Sequence, residues 1–246
     1  MQEFFAQNSK VALAFSGGVD SAYLLYLAKE SGAQIRAYYV KTPFQPQFEY
    51  EDAISLTRQL DVPLQVVDLD ILSHRAIAEN PCNRCYLCKK QIFTAIRQQA
   101  EADGFSVIID GTNADDKEED RPGMQALREV GIRSPLREWG LSKAEIRKRS
   151  KEAGLFTHDK PAYACLATRF PAGTPITREG LAVTEKSEMY LKSLGFSNFR
   201  VRYLAGAAKI EVSGQQLPLL MEHRQEIVRR LKDDYNAVLL DLEVRL

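Results

Sequence analysis

The chain has 246 residues, 45% of them hydrophobic, with 33 Lys+Arg against 33 Asp+Glu, enough for one large domain or a medium one with a small companion. Zero formal net charge excludes a broad electrostatic footprint for nucleic acid and leaves room only for a local basic patch. No apolar run approaches the ~20 residues that span a bilayer, and the opening MQEFFAQNSK lacks the basic-then-apolar layout of a signal peptide, so a cytoplasmic location with reduced thiols is expected.

In chain order, VALAF (11–15) is a short apolar run ending in a glycine turn and reads as a buried strand. A helix follows, with Leu24, Leu25, Leu27 and Ala28 apolar and Gly32 as its stop signal. IRAYYV (35–40) is a second strand, 48–60 a helix, and LQVVDLD (64–70) a third strand. Residues 87–102 read as helix and SVIIDG (106–111) as a fourth strand. LSKAEIRKRSKEAG (141–154) is a helix with a capping box from Ser142 to Glu145 and Gly154 at its end. Strands alternating with helices predict an α/β fold, an open parallel sheet with helices on both faces. After about residue 170 the pattern changes. RFPAGTPITREG suits a linker. Then come a helix over 178–194, strands FRVRYL and AKIEV, a helix over 215–233 and a last strand AVLLDLE. The expected division is 1–168 for the α/β domain and 169–246 for a small α+β domain. No internal repeat or low-complexity segment is present.

AFSGGVDS (14–21) joins the first strand to the first helix. In an open parallel sheet, ligands bind at the carboxyl ends of the strands. Gly17 and Gly18 let the backbone approach an anion, and the helix N-terminus favours phosphate. Ser16 and Ser21 add hydroxyl donors, and Asp20 is a candidate Mg²⁺ ligand. The segment lacks G-x-x-x-x-G-K-[ST], so no lysine within it reaches the terminal phosphates, and it lacks G-x-G-x-x-G. The bland alternative is a strand–turn–helix junction that needs glycines for its turn.

Three of the four cysteines crowd into NPCNRCYLCKK (80–90), at Cys82, Cys85 and Cys88, and the fourth is Cys165. In a reducing compartment such spacing favours metal or catalysis over a disulfide. His74, His158 and His223 lie far apart and have no metal-ligand spacing. Arg200 and Arg202 in FRVRY alternate with apolar residues, so both fall on one strand face. They form either an anion clamp or a solvated outer face.

S-G-G-V-D-S between strand and helix resembles the pyrophosphate loop of the N-type ATP pyrophosphatases, with their adenine nucleotide alpha hydrolase-like fold. RCYLCK (84–89), DGTNADD (110–116), DRPGMQAL (120–127), RSPL (133–136), PAYACLATRFPAGTPIT (161–177) and FRVRY (199–203) follow in this order. Together they resemble the LarE family of ATP-dependent sulfur transferases over nearly the whole chain. The resemblance implies an enzyme of nickel-pincer nucleotide biosynthesis. Such an enzyme adenylates a carboxylate of a pyridinium dicarboxylate mononucleotide and converts it to a thiocarboxylate, releasing AMP and pyrophosphate.

The resemblance also implies site residues. ATP and Mg²⁺ would meet Ser16, Gly17, Gly18, Asp20 and Ser21, with Thr112, Asn113 and Arg133 at the nucleotide. For Arg133 the alternative is a surface salt bridge. Asp115 and Asp116 are metal helpers or a solvated loop. Arg200 and Arg202 would hold the substrate phosphate, and Glu188 resembles a family acid near the active site. Its alternative is an ordinary exposed helix glutamate. Cys165 is the expected sulfur donor, its thiol acidified by nearby Arg169, consumed to dehydroalanine in the simplest members. Cys85 and Cys88 depart from that simple type and resemble a subgroup in which three cysteines, here Cys85, Cys88 and Cys165, hold a 4Fe–4S cluster. One iron without a protein ligand then carries a sulfide, and Cys82 is spare. Open alternatives are zinc on four thiolates, a ferredoxin-like use of Cys82, Cys85 and Cys88, and no metal at all. The expected partners are the small nucleotide and a sulfide or other sulfur donor. A homo-oligomer is expected; nucleic acid and membrane are not. The rival enzyme class is tRNA thiolation, and the rival outside enzymes is an iron–sulfur or zinc binding module.

Overall fold

The computed structural model describes residues 1–116 and 123–245, and positions 120–122 of the DRPGMQAL motif lie outside them. Helices are α1 (Gln2–Gln7), α2 (Val19–Glu30), α3 (Gln47–Gln59), α4 (Arg75–Ala78), α5 (Arg84–Ala102), α6 (Gly123–Val130), α7 (Pro135–Glu138), α8 (Lys143–Glu152), α9 (Arg178–Ser193), α10 (Leu217–Glu222) and α11 (Arg224–Leu231). Strands are β1 (Lys10–Ala14), β2 (Gln34–Lys41), β3 (Leu64–Asp68), β4 (Val107–Asp110), β5 (Phe199–Leu204), β6 (Ala207–Val212) and β7 (Ala237–Leu240). The chain divides into two compact units, Met1–Ile71 with Asn83–Tyr163, and Leu72–Cys82 with Ala164–Leu246.

The first unit is a four-stranded sheet in the order β3-β2-β1-β4, with every neighbouring pair parallel. Consecutive residues of β1 point to opposite faces. Val11 and Leu13 enter one apolar cluster with α2 and α3, while Ala12 and Ala14 enter a second with α5 and α6. All four are buried, so both faces of the sheet are covered. β2 and β3 extend to one side of β1 and β4 lies on the other. The direction of winding therefore reverses between β1 and β4, and the crevice at their carboxyl ends is the expected ligand position. Ala14 and Asp110 are register partners, so the two functional loops start side by side. Helix α8 opens as predicted, with the Ser142 hydroxyl accepting the Glu145 N–H at 3.2 Å. Only this half of the capping box forms, because the Glu145 carboxylate pairs with Arg149 instead.

In the second unit β5-β6-β7 form a sheet, antiparallel between β5 and β6 and parallel between β6 and β7. One face carries Phe199, Val201, Ile210 and Val212 into a core with α9, α10 and α11. The helix predicted over 215–233 is broken at His223, where ψ is 5°. The break lets Leu220 of α10 and both Ile227 and Leu231 of α11 reach the same core.

The expected linker is not one. Leu166, Ala167, Arg169, Phe170 and Ile176 are buried. The backbone of this segment bonds to 78–80, with Gly173 N–H to Asn80 O at 2.7 Å and Ile176 N–H to Ala78 O at 2.8 Å. The Asn80 amide also donates to Pro171 O at 2.8 Å. Asn80 adopts φ 56°, a left-handed conformation that asparagine tolerates. The segment 72–82 thus joins the second unit, and the other crossing falls at Tyr163/Ala164 rather than at a single cut after 168.

Candidate functional site

The loop after β1 is built as a strand-to-helix turn. Gly17 takes φ 71°, and a Cβ there would lie 3.2 Å from Glu49 O of α3, so glycine serves both conformation and packing. The Ser21 hydroxyl donates to Gly18 O at 3.1 Å and shares a 3.1 Å contact with the Ser16 hydroxyl, which latches the loop across α2's first turn. Amides of that turn have no intrahelical acceptor and lie at the positive end of the helix. Asp20 contributes a carboxylate whose buried Oδ1 has no hydrogen-bond partner. A buried carboxylate oxygen in that state suits a cation.

Next to it, Gly111 follows β4 so closely that a Cβ would sit 2.7 Å from the Ser21 nitrogen. Asp110 is buried. Its carboxylate accepts from the Thr112 hydroxyl at 2.5 Å and the Ser134 hydroxyl at 2.6 Å, and burial raises its pKa. Asn113 is buried, and its side-chain oxygen accepts the Asp115 N–H at 2.9 Å. Asp115 is exposed and Asp116 is buried. Asp115 accepts the Lys143 N–H at 2.7 Å and Asp116 accepts the Asn113 N–H at 3.1 Å. The backbone of Arg133 extends the sheet beside β4. Its guanidinium pairs with Glu138 at 2.5 Å and lies over Phe4 at 4.7 Å. Arg133 thus forms the surface salt bridge that stands as the alternative to a nucleotide contact.

Sequence reasoning missed two lysines at the loop. Lys143, the first residue of α8, places its ammonium 2.6 Å from Asp20 Oδ2. Lys160 donates to Gly17 O at 3.2 Å and pairs with Asp52 of α3 at 2.6 Å. Neither carries a local signal, because each reaches its partner across more than a hundred residues.

Cys85 and Cys88 lie one turn apart on α5, the first exposed and the second buried. The Arg84 guanidinium stands 3.5 Å from Cys85 Sγ. Exposed Cys82 and half-buried Cys165 belong to the second unit. The pair on α5 fits two thiolate ligands of one metal group. Among the described residues, no three His, Cys, Asp or Glu side chains are gathered to hold a metal ion.

In the second unit Cys165 opens a single turn of 3₁₀-helix that runs to Arg169. Arg169 is 1% exposed and donates to both Glu188 oxygens at 2.7 and 2.9 Å and to Ala164 O at 3.0 Å. Glu188, 5% exposed, also accepts the Val201 N–H at 3.0 Å. It is neither an exposed helix glutamate nor a free acid. Three hydrogen bonds on its carboxylate tie α9 to the Cys165 turn and to β5. Arg200 and Arg202 share a strand face with Glu211 and Lys209 of β6. Arg202 is held by Glu211 and by Thr168 O at 2.8 Å. Arg200 donates to Phe199 O at 2.6 Å.

A family model described as queuosine biosynthesis protein QueC matches residues 10–81, the stretch that holds the first three strands and the glycine loop. The chain is 31% identical over 236 residues, 95% of its length and 86% of the relative's, to pyridinium-3,5-bisthiocarboxylic acid mononucleotide synthase of Lactiplantibacillus plantarum. It is 35% identical over 247 residues to an uncharacterized protein of Synechocystis, covering 99% and 92% of the two chains. It is 27% identical to the tRNA-specific 2-thiouridylase MnmA of Thermotoga neapolitana over 85% of this chain and 72% of that one.

Proposed function

The chain belongs to the LarE family, that of pyridinium-3,5-bisthiocarboxylic acid mononucleotide synthase, and from this premise we propose that it activates a ring carboxylate of a pyridinium dicarboxylate mononucleotide with ATP and replaces one oxygen by sulfur. The observation that carries the proposal is the glycine loop at the β1/β4 crevice, where Asp20 keeps a buried oxygen without a partner. The amides of Gly17, Gly18 and α2's first turn, with Ser16 and Ser21, cradle the phosphates. Asp20 would hold Mg²⁺, which would supply charge neutralisation on the phosphates. Thr112 and Asn113 edge the nucleotide from the adjoining loop.

A carboxylate oxygen of the acceptor attacks the α-phosphorus, the Pα–O bond to the β-phosphate breaks, and pyrophosphate leaves. Sulfur then attacks the acyl carbon and AMP leaves. Arg200 and Arg202 hold the acceptor's phosphate, Arg202 by exchanging its present carboxylate partner. Cys85 and Cys88 would supply two thiolates, and Cys165 the third, for a 4Fe–4S cluster, which when bound would supply a place for an added sulfide. In the alternative route Cys165 is consumed. Its thiolate attacks the acyl carbon, then loss of its Cα proton breaks the Cβ–S bond, leaving dehydroalanine and the thiocarboxylate. The protein acts in the cytoplasm on a small nucleotide, as a homo-oligomer. tRNA thiolation is the second reading, favoured by the likeness to 2-thiouridylase and opposed by zero net charge.

The test is product analysis with ATP, Mg²⁺ and the pyridinium dicarboxylate mononucleotide. AMP and pyrophosphate should form, and Asp20→Asn should lose metal-dependent turnover while unfolding at the wild-type temperature. ADP and phosphate as products would sink the loop assignment. Turnover with tRNA but not with the mononucleotide would favour the second reading.

A further inference from the structure

We propose that Lys143 and Lys160 are the pyrophosphate-binding cations of this loop, parked on Asp20 and Asp52 until a nucleotide's phosphates replace those carboxylates. The inference deepens the ATP reading and rests on it. A helix N-terminus offers only about half an elementary charge, and one Mg²⁺ leaves part of a triphosphate's charge uncompensated. Side-chain ammonium groups are the usual complement, yet the loop sequence contains none. Two reach it from other parts of the same unit. Lys143 stands 2.6 Å from Asp20 Oδ2, and Lys160 contacts the loop itself at Gly17 O, 3.2 Å away.

The resting partners suit an exchange. Lys143 engages one oxygen of Asp20 while Oδ1 stays buried and unpartnered. A Mg²⁺ ion on that carboxylate would repel the ammonium and free it for an incoming phosphate. Lys160 is the more sheltered of the two, with its side chain 14% exposed against 35% for Lys143. Its ammonium also lies 5.8 Å from the centre of the Phe48 ring, so it keeps a favourable contact when Asp52 lets go. A lysine already held by a carboxylate has given up part of its hydration, Lys160 more than Lys143, and loses less on meeting a phosphate.

Titration calorimetry of the full-length protein with pyrophosphate, ATP–Mg²⁺ and AMP tests this. Lys143→Gln and Lys160→Gln should each weaken pyrophosphate and ATP–Mg²⁺ binding by about tenfold or more and leave AMP affinity unchanged. The Arg variants should retain more affinity than the Gln variants. Asp52→Asn should tighten pyrophosphate binding, because Lys160 no longer has to leave a carboxylate. Thermal unfolding of each variant reports the fold, and if a Gln variant does not fold, Asp52→Asn decides. Unchanged pyrophosphate affinity in the Gln variants, equal losses for AMP and pyrophosphate, or no tightening in Asp52→Asn would overturn the assignment and make these structural ion pairs. A wild-type protein that binds none of the three would overturn the ATP reading itself, and this assignment with it.

Discussion

Asp110 ends β4 beside the glycine loop, and its carboxylate is costly to charge where it stands. Burial is the larger influence and raises its pKa above 3.8, while hydrogen bonds from Ser134 and Thr112 pull the other way. A carboxyl with a raised pKa binds its proton more tightly folded than unfolded. Stability is therefore lost as pH climbs from the unfolded pKa to the folded one, and the loss is complete above both. Asp110→Asn abolishes that proton uptake and keeps an acceptor for one hydroxyl. Urea unfolding free energies measured from about pH 4 to 7 should fall less steeply for the variant than for the wild type. Parallel curves would mean that Asp110 titrates as an ordinary carboxylate.

Among the elements, the turn that carries Cys165 is fastened to α9 by one buried ion pair. Arg169 spans from Ala164 O, on one side of the cysteine, to both oxygens of Glu188. Glu188 in turn accepts the Val201 N–H of β5, so three elements meet on two side chains. Removing one partner strands a buried charge. Arg169→Met should cost about 3–5 kcal/mol in urea unfolding. Adding Glu188→Gln should recover most of that, because the amide oxygen still accepts from Val201 and no charge remains buried. A double variant as unstable as the single one would show that Arg169 contributes through packing rather than charge. The same pair overturns one reading: Glu188 is a buried partner of Arg169 rather than an ordinary exposed helix glutamate.

At the scale of the molecule, the four cysteines are divided, Cys85 and Cys88 in one unit and Cys82 and Cys165 in the other. Protein purified without oxygen should carry iron. Cys85→Ala, Cys88→Ala and Cys165→Ala should each lose it, while Cys82→Ala keeps it. Iron lost with Cys82 and kept without Cys165 would favour the ferredoxin-like ligand set and leave Cys165 as a consumed donor. Mass spectrometry after turnover then finds dehydroalanine at position 165, lighter by H₂S.

Much of the first unit is legible along the chain. Apolar runs at strand period, the glycines at 17, 18 and 32, and the Ser142 cap act over a few residues, so their pattern is their physics. The loop S-G-G-V-D-S announces its turn for the same reason, and the parallel sheet follows from the alternation of elements. Other features have no local signature. Lys143 reads as a plain helix-start lysine until the folded chain puts Asp20 against it, 123 residues away. The segment after Cys165 reads as a linker because its hydrogen-bond partners, Ala78 and Asn80, lie about ninety residues earlier. Which long side chains share a carboxylate, and which backbone groups a loop satisfies, depends on how distant segments close on each other. That closure is set by burial of the two cores, and no short window of sequence contains it.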